Sequence, residues 1–194
     1  MVNCINGILK NLTVGIAGIG GLGSNAAVSL ARIGIGRLVL ADFDVVDESN
    51  LNRQYYMIRH LGMKKAQAIQ QVIGDINPQV DVESHDVYID SHNAPEIFKD
   101  ADIIIEAFDV ASCKAKFVNS ILQNTGKKVI AASGLAGVGS ANSIVTRRVS
   151  ERLYIVGDGV SGLSEGEKLL ASRVAIAANH QANLAVRLLI GEDI

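Results

Sequence analysis

Thr13-Val-Gly-Ile-Ala-Gly-Ile-Gly-Gly-Leu-Gly23 runs directly into Ser24-Asn-Ala-Ala-Val-Ser-Leu-Ala-Arg-Ile33. An apolar run of strand character feeds a glycine loop, and a stretch with helical spacing follows. Such a strand–loop–helix unit holds a nucleotide phosphate on backbone N–H groups at a helix N-terminus. Gly18 allows the tight turn, Gly20 lets a phosphate approach the main chain, and Gly23 lets helix and strand pack closely. The loop points to a nucleotide and leaves open which one.

Length and composition bound what is built around that unit. A chain of 194 residues suits one domain. It buries roughly 70% of its unfolded surface, so it needs neither metal nor disulfide to stay folded. Hydrophobic residues make up 48% of the chain, yet it holds only four Phe, four Tyr and no Trp. Ala, Val, Ile and Gly dominate instead, as in a parallel sheet covered by helices. A net charge of −2 argues against a general polyanion binder, so no nucleic-acid partner is expected. Cys4 and Cys113 form neither a Cys-x-x-Cys pair nor a disulfide framework, which fits a reducing, cytoplasmic setting. No signal-peptide pattern and no apolar run of spanning length occurs, so no membrane association is expected.

Outward from the loop, Met1 to Leu12 is a lead-in with a helical turn. Arg37-Leu-Val-Leu-Ala-Asp42 is a buried-type strand ending in an acid. Asp42 stands near the spacing of a carboxylate that binds nucleotide ribose in a βαβ fold. Phe43 to Arg59 is polar and irregular, and Gly62 to Ile76 has helical spacing up to Asn77-Pro78. Val80 to Val87 alternates like an edge strand, and Ala94 to Lys99 reads as a short helix. Asp102-Ile-Ile-Ile-Glu-Ala-Phe-Asp109 reads as a buried strand closing on a second acid. A helix over Ala111 to Asn124 and a strand over Lys128 to Ser133 come next. Asn142 to Arg148 and Leu153 to Val156 read as a late antiparallel extension of the sheet. Gly157 to Gly166 is expected to be a mobile loop, and Ser172 to Ile190 a long apolar helix. The alternation predicts a doubly wound, Rossmann-like α/β fold with a mostly parallel sheet and helices on both faces. A ligand then sits at the carboxyl ends of the strands, where Gly18 to Gly23, Asp42 and Asp109 converge.

The sharpest chemistry lies in Asp42-Phe-Asp-Val-Val-Asp-Glu-Ser-Asn-Leu-Asn-Arg-Gln54, with Lys65 shortly after. Arg53 and Lys65 suit triphosphate oxygens, Arg as a fork and Lys as a point charge. Asp109 suits magnesium, the hard cation that accompanies nucleotide phosphates. A hydride-transfer enzyme needs neither the clamp nor the metal. Taken singly, each of these residues also fits a hydrated surface loop.

Gly18-Ile-Gly-Gly-Leu-Gly23, Asp42-Phe-Asp44, Ser49-Asn-Leu-Asn-Arg-Gln54, Gly62 to Lys65 and the strand ending at Asp109 resemble the adenylating domain of ubiquitin-activating-type enzymes. The likeness runs from about Leu12 to Gly191, and the short length resembles the compact ThiF-like proteins. That resemblance implies a single adenylyltransferase domain over residues 1–194. It would activate the C-terminal glycine carboxylate of a small β-grasp sulfur carrier with Mg·ATP, releasing pyrophosphate, in thiazole (thiamine) biosynthesis. It also implies that Gly18, Gly20, Gly21 and Gly23 pack against the nucleotide, and that Asp42 binds ribose with Asp44 and Gln54 beside it. Asn50, Arg53 and Lys65 would contact phosphates, Arg53, Lys65 and Asp109 would serve catalysis, and Asp109 would bind magnesium. A homodimer is the family's habit. Sulfur is expected from a separate donor protein, because Cys4 lies in the lead-in and Cys113 is expected to pack behind Asp109.

The chain departs from that family in three places. It has no Cys-x-x-Cys pairs, so no zinc is expected. Its lead-in offers Lys10 where relatives commonly carry an arginine. Val110 and Lys114 stand where an Asn and an Arg are usual. Three alternatives stay open beside the thiazole reading: a carrier of the molybdopterin type, a nicotinamide-dependent oxidoreductase, and a nucleotide-binding module without turnover.

Overall fold

The computed structural model describes residues 7–162 and 168–194. Its strands are β1 (Thr13–Ala17), β2 (Arg37–Asp42), β3 (Asp81–Asp86), β4 (Ile103–Glu106), β5 (Lys128–Ala132), β6 (Val145–Arg148) and β7 (Leu153–Gly157). Its helices are α1 (Gly21–Ile33), α2 (Lys65–Ile76), α3 (Ala94–Ile97), α4 (Ala111–Asn124) and α5 (Ala171–Leu189). The strands form one sheet in the order β3-β2-β1-β4-β5-β7-β6. Every pairing is parallel except β6 with β7.

Side-chain alternation along the strands builds two cores, one on each face of the sheet. Val14 and Ile16 of β1, Leu38 and Leu40 of β2 and Ile103 and Ile105 of β4 point to one side, under α1, α2 and α5. Ala17, Val39, Ala41, Ile104 and Val129 point to the other, under α3 and α4, where Phe98 and Phe117 pack edge to face at 5.8 Å. The sparing use of aromatics fits this layering, since parallel strands covered on both faces are rich in small and branched side chains. Among the described residues, no helix is long and apolar enough to cross a membrane.

One sequence expectation needs correction, and the expected antiparallel extension is present with a finer detail. The strand read as Asp102 to Asp109 stops at Glu106. The Glu106 carboxylate accepts the Phe108 N–H at 2.7 Å, so the chain bends and Asp109 lies beyond the strand, just before α4. The late extension is antiparallel only in β6. After β5 the chain returns along the outer edge as β6, and β7 then climbs beside β5 in parallel. Of the expected mobile loop, residues 163–167 lie outside the described residues. The described part is pinned at Asp158, whose carboxylate accepts the Val160 and Ser161 N–H groups, each at 2.8 Å.

Candidate functional site

The sheet order reverses between β1 and β4, and the crevice beyond their carboxyl ends is where this architecture receives ligands. A cavity of about 690 Å³ opens there. Its wall includes Gly18, Gly20, Gly21, Asp42, Asp44, Arg53, Gln54, Lys65 and Asp109. Residues scattered over more than ninety positions of sequence thus meet at one opening.

The glycine loop explains itself sterically. Gly18 holds φ +87°, and a Cβ on Gly23 would lie 1.9 Å from the Gly18 carbonyl oxygen. Gly23 therefore sits beneath the loop, outside the cavity wall, where it lets α1 begin close to β1. No side chain caps the N-terminus of α1 and its first turn carries no acid. Such an end, with its positive dipole, suits an anion.

Asp42 closes the base of the loop. Its Oδ2 accepts the Ile19 N–H at 2.6 Å and its Oδ1 the Asp44 N–H at 2.8 Å. It is 8% exposed. Burial pushes its pKa up, against the opposing pull of Lys65 and of the two backbone donors. Lys65 is buried as well and reaches Asp44 Oδ2 at 2.7 Å. It is the first residue of α2, where a cation opposes the helix dipole. A buried ammonium at a helix N-terminus is a poor choice for stability, and its place in the cavity wall gives it a reason to be there.

Arg53 donates to the Ser49 carbonyl at 3.0 Å and to Asn52 Oδ1 at 2.8 Å, while its buried Nε has no partner among the described residues. Gln54 is 9% exposed and its Oε1 likewise lacks a partner. Both residues line the cavity, so a bound group can meet these atoms. Asp109 is exposed and accepts no hydrogen bond from any described side chain. A single open carboxylate beside an anion site fits magnesium, which is held by one or two carboxylates together with phosphate oxygens.

Asn50 is not brought to the cavity. It caps a short turn of helix, its Oδ1 accepting the Asp47 N–H at 3.1 Å. Cys113 also differs from expectation, because it lines the cavity, with Sγ 3.9 Å from the Tyr88 hydroxyl. Cys4 lies outside the described residues. His180 bonds Thr146 at 3.2 Å, away from the cavity.

Sequence reading missed three features. Glu106 is fully buried and bonds Lys114 Nζ at 2.9 Å, its pKa raised by burial despite that partner. An acid inside the apolar run Ile103–Glu106 was the available signal, since buried carboxylates are paired. Arg173 reaches Asp158 at 2.5 Å and the Gly139 and Ser140 carbonyls at 2.6 and 2.8 Å, tying the glycine-rich turn to α5. Hydrogen bonds from Ser161, Val160 and Arg173 outweigh burial and hold Asp158 well below the usual carboxylate range. Phe43 and Tyr88, packed edge to face at 5.1 Å, form an exposed aromatic lip on the cavity.

Fold and site together define a doubly wound α/β protein with a glycine-loop cavity at its topological switch point. More narrowly, the chain belongs to the ThiF family, whose sequence profile matches residues 7–194. It is 39% identical over 128 residues to the adenylyltransferase and sulfurtransferase UBA4 of Kluyveromyces lactis, covering 66% of this chain and 29% of that protein. It is 41% identical over 102 residues to a probable adenylyltransferase/sulfurtransferase MoeZ of Mycobacterium tuberculosis, covering 52% and 26%. The chain thus spans under a third of the length of these relatives. Among solved structures it is similar to the E. coli tRNA N6-threonylcarbamoyladenosine dehydratase TcdA in complex with ATP. That match has TM-score 0.88 and 21% identity, over 96% of this chain and 89% of that one. PaaA matches with TM-score 0.72 and 27% identity, over 98% and 59%.

Proposed function

We propose that this chain is an adenylyltransferase that activates the C-terminal glycine carboxylate of a small ubiquitin-like sulfur carrier with Mg·ATP, releasing pyrophosphate. The observation that carries this reading is the shared cavity wall of Gly18, Gly20, Gly21, Asp42, Arg53, Lys65 and Asp109. The names of the UBA4 and MoeZ relatives support the reaction type, and the ATP complex of TcdA supports ATP as the nucleotide.

In this reading the open end of α1 receives phosphate, Asp42 holds the ribose hydroxyls, and the Phe43–Tyr88 lip borders the base. Arg53 and Lys65 neutralise charge that builds as pyrophosphate leaves, and Asp109 holds magnesium, which would screen the phosphates. A glycine carboxylate is already ionised at neutral pH, so attack on the α-phosphorus needs no general base. Catalysis is then positioning and charge neutralisation, consistent with a cavity lined by cations and backbone N–H groups.

The finer reading is a carrier of thiazole biosynthesis, a homodimeric assembly and cytoplasmic residence, with sulfur delivered by a separate protein. The resemblance to ThiF-like proteins supports it. ATP–pyrophosphate exchange measured against purified sulfur carriers, beside a binding titration of Mg·ATP against NADH, tests both levels. Exchange stimulated by one carrier, with no NADH binding, is the expected result.

A further inference from the structure

Arg53 and Gln54 lie on an irregular segment, yet residues 53–56 are tied to the glycine loop and the start of α1 by three hydrogen bonds that involve side chains. Asn25 Nδ2 donates to the Arg53 carbonyl at 3.0 Å and to the Gly21 carbonyl at 2.7 Å. Ser24 Oγ accepts the Tyr55 N–H at 2.9 Å while donating to the Gly20 carbonyl at 2.6 Å. The Tyr56 hydroxyl, in a ring only 6% exposed, donates to the Ile19 carbonyl at 2.8 Å. Both main-chain polar groups of Ile19 are thereby held, because its N–H is bonded to Asp42.

These ties set the geometry of the cavity wall. A Cβ on Gly21 would lie 3.6 Å from Arg53 Cγ, and one on Gly20 3.8 Å from Gln54 Nε2. The two side chains therefore ride directly over the loop, each with a buried polar atom that no described residue satisfies. Ser24 and Asn25 lie near the start of α1, where each bonds the carbonyl four residues back. Back-bonding of that kind weakens a helix slightly, and alanine would serve the helix better. The second hydrogen bond each makes, across to residues 53–55, is what such residues gain there.

We propose that Ser24, Asn25 and Tyr56 form a clamp that fixes Arg53 and Gln54 over the glycine loop, as positioning residues for adenylation. The clamp rests on the proposed role of Arg53 in that reaction, but its mechanical part does not. Asn25→Ala and Tyr56→Phe each remove one tie and leave every cavity-lining side chain in place. Deuterium uptake over residues 53–57 of the whole chain is then expected to rise several-fold, with no change in β1 or β4. The exchange turnover should fall about 10- to 100-fold, the effect of loosened catalytic geometry, while the Kd for Mg·ATP stays within about threefold. Asn124→Ala, which removes a comparable side-chain bond to the Ser120 carbonyl at the far end of α4, should change none of the three readouts.

Unaltered deuterium uptake in both variants would overturn the clamp. So would equal losses in turnover and affinity, which would mark these residues as structural or as direct ligands. A wild-type chain that turns over no carrier counts against the proposed function alone. Deuterium uptake then still decides whether the clamp exists.

Discussion

Asp42→Asn separates what the aspartate does for the loop from what it does for a ligand. The carboxylate accepts two backbone N–H groups, from Ile19 at 2.6 Å and Asp44 at 2.8 Å. An amide of the same shape presents one acceptor oxygen, and its NH2 would face a donor. One buried N–H loses its partner, at a cost of about 1–3 kcal/mol. The neutral side chain also escapes the desolvation that raises the Asp42 pKa, which offsets part of that loss. The net destabilisation should be about 1 kcal/mol, leaving a folded variant. Ribose hydroxyls bonded to an ionised carboxylate contribute about 1.5–3 kcal/mol, so the Kd for Mg·ATP should rise about 10- to 150-fold. The pH dependence carries the same signature. A raised pKa means that wild-type affinity declines on acidification earlier than an ordinary aspartate requires, and the variant lacks that titration. Calorimetric titration at several pH values, with thermal unfolding as the folding control, measures both. A folded variant with a Kd within about twofold of wild type would refute the ribose role, since that is under 0.5 kcal/mol.

Asp158→Asn should destabilise the chain by about 3 kcal/mol at pH 7, because it leaves Arg173 buried without its counter-charge. The Asp158 pKa is depressed on folding, so its contribution is present above the unfolded value of 3.8 and is lost as pH falls below it. Urea unfolding should therefore show the gap to wild type narrowing by pH 3. A gap that stays constant between pH 7 and pH 3 would exclude the linkage. Asp109→Asn should raise the magnesium concentration needed for exchange several-fold, and an unaltered magnesium titration would remove Asp109 from the metal site. Cys113 lines the cavity, which makes the route of sulfur testable. Enzyme, ATP and carrier run on a gel should give no reductant-sensitive conjugate, whereas one that disappears in Cys113→Ser would show direct transfer to this thiol.

The sheet was legible because its strands announce themselves. Runs such as Arg37–Asp42 and Lys128–Ala132 are apolar on both faces, as buried parallel strands must be. The glycine loop was legible because its spacing belongs to a single turn, and Asp42 because it ends the next apolar strand, β2. The end of β4 was not, because it depends on the Glu106 carboxylate folding back onto the Phe108 N–H, a contact no periodicity encodes. Asn50 reads in sequence as a ligand group beside Arg53, whereas in the fold its side chain bonds within its own turn. Cys113 shows the limit of helical spacing, which says that a residue lies on α4 but not whether that face meets the sheet or the cavity. Arg173 and Asp158 stand 15 residues apart on either side of a loop, and only tertiary structure joins them.

The central claim is that the cations of this cavity drive adenylyl transfer to a carrier's terminal carboxylate. ATP–pyrophosphate exchange in wild type and Arg53→Ala, with a purified carrier ending in Gly-Gly, tests it most directly. The account predicts carrier-dependent exchange that falls about 100-fold in the variant while Mg·ATP affinity changes little, as for other preorganised charge stabilisers. Exchange that ignores the carrier, or a variant that loses binding and turnover in equal measure, would contradict it.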